Sequence, residues 1–485
     1  MKKGLLLLLF ITVCFHLHSQ TYTTGFGIKL SKKSVAFSYV DKQKDGAYLL
    51  VGNNKIVKCT HYDSNFEIKD SMTVARPEKE FESIAGVNKN DEFMSVFWIN
   101  EDHNQLYQQH VDFKNRTASF AKKHSFDFAK QKVIQTFSSN NCFYLLTITT
   151  NSNVLNLYTF DSNGKESVNK IDLGTHSFFN SQNKSTTLFE VLKEKISGFD
   201  TAFELPLIDN DAPNSLTITA KKRKFFYTPN ALFLTIYSNV QFTQVIKINL
   251  SDYQFSTQQI PQNTYSNDGS TNANSLLVYQ ILYQIVATNQ KMVFSVTSLD
   301  GTIKKEFTSD KNNGFDFSNS GILESTVNPS YKKTKIENTG QFVSTMNDLN
   351  FGLSYYNYNG KNLLTIGGVT EHVKKIQTSS EGSPDMSFYF GQFGLIGSLV
   401  YVVLFHQTQT NYDFGRDFTY FYTCLDSNFN KVEGEITYTS FDLIKNFFTF
   451  NPSAVYPTVI SLKKGNYLGY YKDENKKYTV LSYDK

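Results

Sequence analysis

The 485-residue sequence has little of what anchors small or reactive proteins: four cysteines, one tryptophan and nine prolines. Cys14 sits in an N-terminal apolar run, so Cys59, Cys142 and Cys424 belong to the body of the chain. An odd count of three excludes a disulfide-stapled scaffold, and a chain of this length builds a core without staples. Each of the three lies in an apolar, strand-like run and reads as a buried free thiol. A Cys59–Cys424 bridge is the one pairing left open. A dominant charge is also lacking. Forty-eight Lys and Arg stand against 44 Asp and Glu, and removing Lys2 and Lys3 takes the formal charge from +4 to +2. No field steers such a chain to nucleic acid or an anionic membrane, so no nucleic-acid partner is expected. The compact basic run Lys221-Lys222-Arg223-Lys224 reads as a solvated loop ahead of a strand at Phe225. Long apolar runs are missing too: Leu395 to Phe405 is broken by Gly397 and Ser398, short of the roughly 18 to 20 residues of a membrane helix. No integral membrane segment is expected in the mature chain.

The N-terminus reads as an address. Met1-Lys2-Lys3 is basic, Gly4 to Phe15 is apolar, and His16 to Gln20 is a short polar exit, the pattern of a cleaved secretory signal over residues 1–19. Val13 ahead of Cys14 is not the small residue that lipid attachment needs. The mature chain, 20–485, is therefore expected to be secreted, in an extracellular or periplasmic setting.

Motifs for chemistry are equally scarce. Seven histidines follow the signal: His61, His103, His110, His124, His176, His372 and His406. None forms HExxH or zinc-finger spacing, and His103 with His110, seven apart on one strand pair, is too little for a metal. No G-x-S-x-G elbow is present. Gly391 to Gly397 is glycine-spaced but is not a dinucleotide fingerprint and lies in no βαβ unit. Asp209-Asn210-Asp211 and Asp161-Ser162-Asn163-Gly164 have the start of a calcium loop without its full ligand series. No metal site and no cofactor is assigned; a structural calcium ion is the one addition those turns would allow. Catalytic residues are unassigned.

What the sequence does have is strands. Runs of 5 to 9 residues rich in Val, Ile, Phe, Tyr and Thr alternate with Asn, Asp, Gly and Ser. From Cys142 to Leu173 three such strands are joined by two tight polar turns, and weaker copies recur. Their marker is a turn after an apolar strand, at Asp63, Asp112, Asp161, Asp252, Asp300 and Asp426. Asp63, Asp112 and Asp161 are spaced by 49 residues, and Asp252 and Asp300 by 48. A period near 50 with four strands per unit points to propeller blades. The interval of 91 from Asp161 to Asp252 implies an insertion, near 175–224, or a degenerate unit. Within it Leu188, Phe189, Val191, Leu192 and Ile196 have the spacing of a short amphipathic helix. The interval of 126 from Asp300 to Asp426 leaves room for an extra unit turning at Asn359-Gly360. Gln262 to Asn274 reads as a polar loop. The C-terminus stops one strand short of a unit, while TYTTGFGIKL after the signal is a spare strand.

The expected fold is therefore all-β: a divergent β-propeller of seven or eight four-stranded blades in one domain, ring-closed by pairing the N- and C-terminal strands. Tandem β-sandwiches are the alternative. The units lack the Gly-His and Trp-Asp signature of WD40 blades, and the paired glycine of kelch repeats occurs once, at Gly367-Gly368. The functional expectation is an exported binding or interaction module for a ligand, glycan or protein, leaning away from an enzyme. A glycoside hydrolase or other hydrolase on the central face is one alternative, although the Ser-x-Asp-x-Gly-x-x-Trp boxes of sialidase-type propellers are missing. A structural envelope component is another.

Overall fold

Strand-forming runs between Asn, Asp and Gly turns fold as antiparallel sheet, and the described residues are 57% strand and 7% helix. The computed structural model describes residues 21–484 apart from 32, 43–45, 79, 128, 198–199, 263–271, 289, 311–313, 326–333, 337–338, 348, 371–417 and 452. The stretch 1–19 read above as a signal, the glycine-spaced stretch 391–397, the apolar run 395–405, most of the polar tract 262–274, His372 and His406 lie outside the described residues.

Two compact units divide the chain: Met1–Thr73 with Tyr438–Lys485, and Val74–Thr437. In the first, one sheet draws on both ends of the sequence. Strand β1 (Thr21–Gly27) pairs antiparallel with β31 (Lys477–Asp484), and β30 (Gly465–Lys472) and β29 (Val455–Ser461) complete the sheet. Thr21 stands opposite Ser482 and Gly27 opposite Lys477. The spare N-terminal strand thus supplies the fourth strand that the C-terminus lacks. The other sheet is a meander of β2 (Val35–Asp41), β3 (Gly46–Gly52), β4 (Ile56–Tyr62) and β5 (Ile68–Ala75).

The second unit repeats that meander. It holds β6 (Phe81–Lys89), β7 (Met94–Asn100), β8 (Gln105–Asp112) and β9 (Thr117–Ser125), then β10 (Gln131–Ser139), β11 (Cys142–Thr149), β12 (Val154–Phe160) and β13 (Glu166–Asp172). Two further meanders are β16 (Arg223–Tyr227), β17 (Ala231–Ile236), β18 (Phe242–Asn249) and β19 (Phe255–Pro261), and β20 (Asn272–Val278), β21 (Ile281–Ala287), β22 (Lys291–Ser298) and β23 (Ile303–Asp310). The last sheet has five strands, ordered β25 (Thr334–Ile336), β24 (Ile322–Ser325), β28 (Phe418–Leu425), β27 (Lys361–Val369), β26 (Asn350–Tyr358). The four-stranded meander is the blade of a β-propeller, and the chain is a divergent member of that fold class. Sandwiches would exchange strands between facing sheets, whereas each meander here is closed on itself.

Among the described residues there are seven sheets of four or more strands. The extra unit expected around Asn359-Gly360 is not a separate sheet. That turn joins β26 to β27, and β27 pairs with β28 from Asn362 opposite Leu425 to Val369 opposite Phe418. The long interval between markers is instead filled by β24, β25, a helix over Thr339–Asn347 and the stretch before β28.

The aspartate marker has one structural role. In six sheets it makes the turn after the third strand. Asp63 Oδ1 accepts the N–H groups of Asn65 and Glu67 at 2.8 and 3.0 Å, and Asp426 Oδ1 those of Asn428 and Asn430 at 2.8 Å. Asp161 repeats the pattern on Asn163 and Lys165 at 2.9 Å. The carboxylate thereby satisfies main-chain donors that a tight turn leaves open. Three of these turns place an aromatic residue in left-handed backbone: Phe66 (φ 62°), Tyr253 (φ 59°) and Phe429 (φ 62°). Such a conformation costs a bulky residue about 1–3 kcal/mol. The cost is offset by packing on a neighbouring sheet. Phe66 stacks at 3.7 Å on Tyr467 of β30, Phe429 meets Tyr283 of β21 edge-on, and Tyr253 packs into the core shared with Tyr144 of β11. The repeat marker therefore also fastens sheet to sheet.

Candidate functional site

The blade plan is interrupted between β13 and β16. The chain there makes a two-stranded hairpin, β14 (Phe178–Phe179) with β15 (Ser185–Thr186), and two short helices, α1 (Leu188–Lys193) and α2 (Leu216–Thr219). Asn180 shapes the hairpin turn, its Oδ1 accepting the N–H groups of Gln182 and Lys184 at 3.1 and 2.9 Å, with Asn183 at φ 57°. Helix α1 falls inside the stretch with helical spacing. Thr187 Oγ1 caps it by accepting the Glu190 N–H, and Leu188, Phe189, Val191 and Leu192 bury one face.

The basic run Lys221–Lys224 corrects an expectation. It is buried, not solvated: Arg223 is 0% and Lys224 1% exposed. Strand alternation sends Arg223 and Phe225 to one face and Lys222, Lys224 and Phe226 to the other. Arg223 donates to the carbonyls of Val191, Leu192 and Thr201, satisfying the open C-terminal carbonyls of α1. Lys222 donates to Ala273 O at 2.6 Å, Lys224 to Asn274 Oδ1 at 2.8 Å, and Lys221 pairs with Glu204. Burial brings the Lys222 amine down to about 8 against the opposing pull of Asp200, and holds Lys224 well below the usual lysine range. The buried carboxyl of Asp200 accepts the Lys222 N–H and the Ser197 hydroxyl. The cluster ties the insertion to β16 and β20.

The inserted hairpin docks on the sheet of β16–β19 and leaves a cleft. Gln244 of β18 acts as a two-pronged clamp: its Oε1 accepts the Phe179 N–H and its Nε2 donates to the Phe179 carbonyl, both at 2.9 Å. At the hairpin tip Asn239 donates to Asn183 at 2.8 Å, and the Phe179 and Phe242 rings meet edge-on at 5.5 Å. The cleft, about 230 Å³, lies between residues 176–178 and strands β18 and β19. His176, Ser177, Phe178, Gln244, Val245, Thr257, Gln258 and Gln259 line it. Phe178 is buried beneath it, and the His176 ring is braced edge-on by Phe255 at 5.4 Å. In β19, Thr257 and Gln259 share the Phe255 face, towards the hairpin; Gln258 shares the opposite face with Ile260. The sequence signal for this site was the broken repeat interval. The identity of the lining residues depends on pairings 65 positions apart in sequence and was not readable locally.

Other residues singled out from sequence do not converge. His103 lies in the β7–β8 turn at φ 54°, while His110 is on β8 and bonds Ser95 Oγ through Nδ1 at 2.8 Å. That Ser–His contact extends through Gln108 to His124 and Glu166, but Ser95 is 0% exposed, so its hydroxyl is sealed from any substrate. Asp161 serves its turn; Asp209 receives the Asp211 N–H in a loop whose Asp211 accepts the Tyr279 hydroxyl. Among the described residues no group of three or more His, Cys, Asp or Glu side chains is placed to hold a metal. Trp98 is fully buried, its Nε1–H given to Gln109 Oε1 at 3.1 Å, so the single tryptophan belongs to the core. Cys59, Cys142 and Cys424 are free thiols, and burial pushes Cys59 up to about 12. Among the described residues no helix is long and apolar enough to cross a membrane.

No family model matches the sequence, and no curated protein matches it. Similar solved structures include the WD40 domain of SCAP from fission yeast, at 10% identity and TM-score 0.31, covering 96% of this chain and 90% of that one. The Nup133 β-propeller domain of Vanderwaltozyma polyspora is similar at 12% identity and TM-score 0.26, over 57% of this chain and 75% of that one. Prolyl oligopeptidase B from Galerina marginata is similar at 8% identity and TM-score 0.30, over 71% of this chain; the match spans about half of that enzyme, 48%. The fold assignment rests on the sheets described above.

Proposed function

We propose that the protein is an exported binding module whose ligand, a glycan or a protein group, sits in the cleft between the inserted hairpin and β18–β19. Export rests on the signal pattern of residues 1–19. The observation that carries the binding reading is the construction of the cleft: a departure from the repeat, clamped to a regular sheet by Gln244, that creates a concave polar surface over an apolar floor. Blade-type sheets suit this role because they hold short variable segments on a rigid frame. The test is a thermal-shift screen of glycans and peptides against the mature chain and a Ser177→Trp variant. Ser177 is exposed at the mouth of the cleft, so the indole fills the cleft without entering the core. A ligand at a hundred times its Kd stabilises the wild type by about 2.7 kcal/mol. The reading expects that shift in the wild type and its loss in Ser177→Trp; equal shifts in both would contradict it.

A further inference from the structure

We infer that the cleft takes one neutral sugar ring, free or at the end of a glycan; the inference rests on the cleft being the binding site. Its size is the first argument. About 230 Å³ is below the range of roughly 300–1,000 Å³ that encloses drug-sized ligands, and suits a single ring better than an extended chain. Charge is the second. None of its eight lining residues is Asp, Glu, Lys or Arg, so beyond the His176 imidazole a charged ligand would give up hydration with no ionisable partner to receive it. The arrangement of polarity is the third. Phe178 supplies an apolar floor, while Ser177, Thr257 and Gln259 bring hydroxyls and an amide to the sides. A sugar ring has the matching character: a C–H face that seeks apolar cover and a rim of hydroxyls that both donate and accept. The Gln259 amide and Thr257 hydroxyl can do both as well. Gln244 is spent on the Phe179 main chain and acts as a positioning residue that holds the two walls at a fixed distance.

Ligand-observed saturation-transfer NMR on the mature chain tests the assignment. The probes are glucose, galactose, mannose, fucose and N-acetylglucosamine, with glucuronate and a neutral tripeptide as controls. At least one neutral sugar is expected to bind. Thr257→Val and Gln259→Leu should each weaken it about tenfold, the scale of one lost hydrogen bond to a bound ligand. Ser256→Ala, on the opposite face of β19 and outside the cleft lining, should leave it unchanged, and Ser177→Trp should abolish it. A glycan array then separates a free sugar from the same ring as a terminal residue. No binding by any neutral sugar, glucuronate binding as well as the best of them, or sugar binding that survives Ser177→Trp would each overturn the assignment. Tripeptide binding lost in Ser177→Trp, with no sugar bound, would overturn the sugar and leave the cleft as the site. Binding of every probe unaffected by Ser177→Trp would overturn the cleft as well.

Discussion

Aspartate at the turns and arginine under the insertion show how far single residues determine this molecule. Turn N–H groups hold the carboxyls of Asp63 and Asp426 below the usual carboxylate range, and the Ser298 hydroxyl with the Thr302 N–H lowers Asp300 to about 2. A depressed folded-state pKa contributes stability that is present above the unfolded value near 4 and is lost as pH falls through the folded value. The melting temperature should therefore drop between about pH 4 and pH 2. Asn at positions 63, 300 and 426 keeps the acceptor and cannot titrate, so the triple Asp→Asn variant should show a shallower drop in calorimetric scans. At Arg223 the expectation concerns magnitude. Arg223→Met removes the donor from the buried Val191 carbonyl and from the Thr201 carbonyl, leaves Leu192 with only the Phe203 N–H, and should cost about 3 kcal/mol in urea unfolding. The turn aspartates were legible in the sequence because an Asx turn is a local event within five residues. The burial of Lys222, Arg223 and Lys224 was not, because their partners Val191, Asp200 and Asn274 are 22 to 50 positions away. Three cations in a row look like surface until those partners are in place.

Among the elements, regular blades and the inserted hairpin differ in what sequence can reveal. Strand-turn alternation and the 49-residue period defined the meanders, and the helical spacing around Leu188 located α1. The Asn359-Gly360 turn misled because a hairpin turn has the same residues whether it joins the first two strands of a sheet or the last two. The cleft depends on where the hairpin docks, and that docking is concentrated in one amide. Gln244→Leu removes both bonds to Phe179 and leaves its N–H and C=O unmatched. The expected result is faster hydrogen exchange at Phe179 and its neighbours, with exchange in the centre of β17 unchanged and a stability loss of about 1–3 kcal/mol. Equal acceleration throughout β16–β19 would mean that Gln244 supports the sheet rather than the hairpin.

For the molecule as a whole, the pairing of β1 with β31 is the consequential feature. It gives the sheet of β29–β31 its fourth strand and covers an edge that would otherwise present the open main chain of Lys477 to Asp484. A chain that starts at Ile28, without β1, should unfold at lower temperature and self-associate in analytical ultracentrifugation. This pairing was legible from the two ends of the sequence, one with a strand to spare and one a strand short.

Ligand binding in the cleft beside the inserted hairpin is open to a direct test by native mass spectrometry. The wild-type chain and Ser177→Trp would be expressed and purified side by side from the same host. The expected result is a stoichiometric adduct on the wild type, at the mass of a small ligand or glycan, and a bare Ser177→Trp chain. The same adduct on both chains would contradict it.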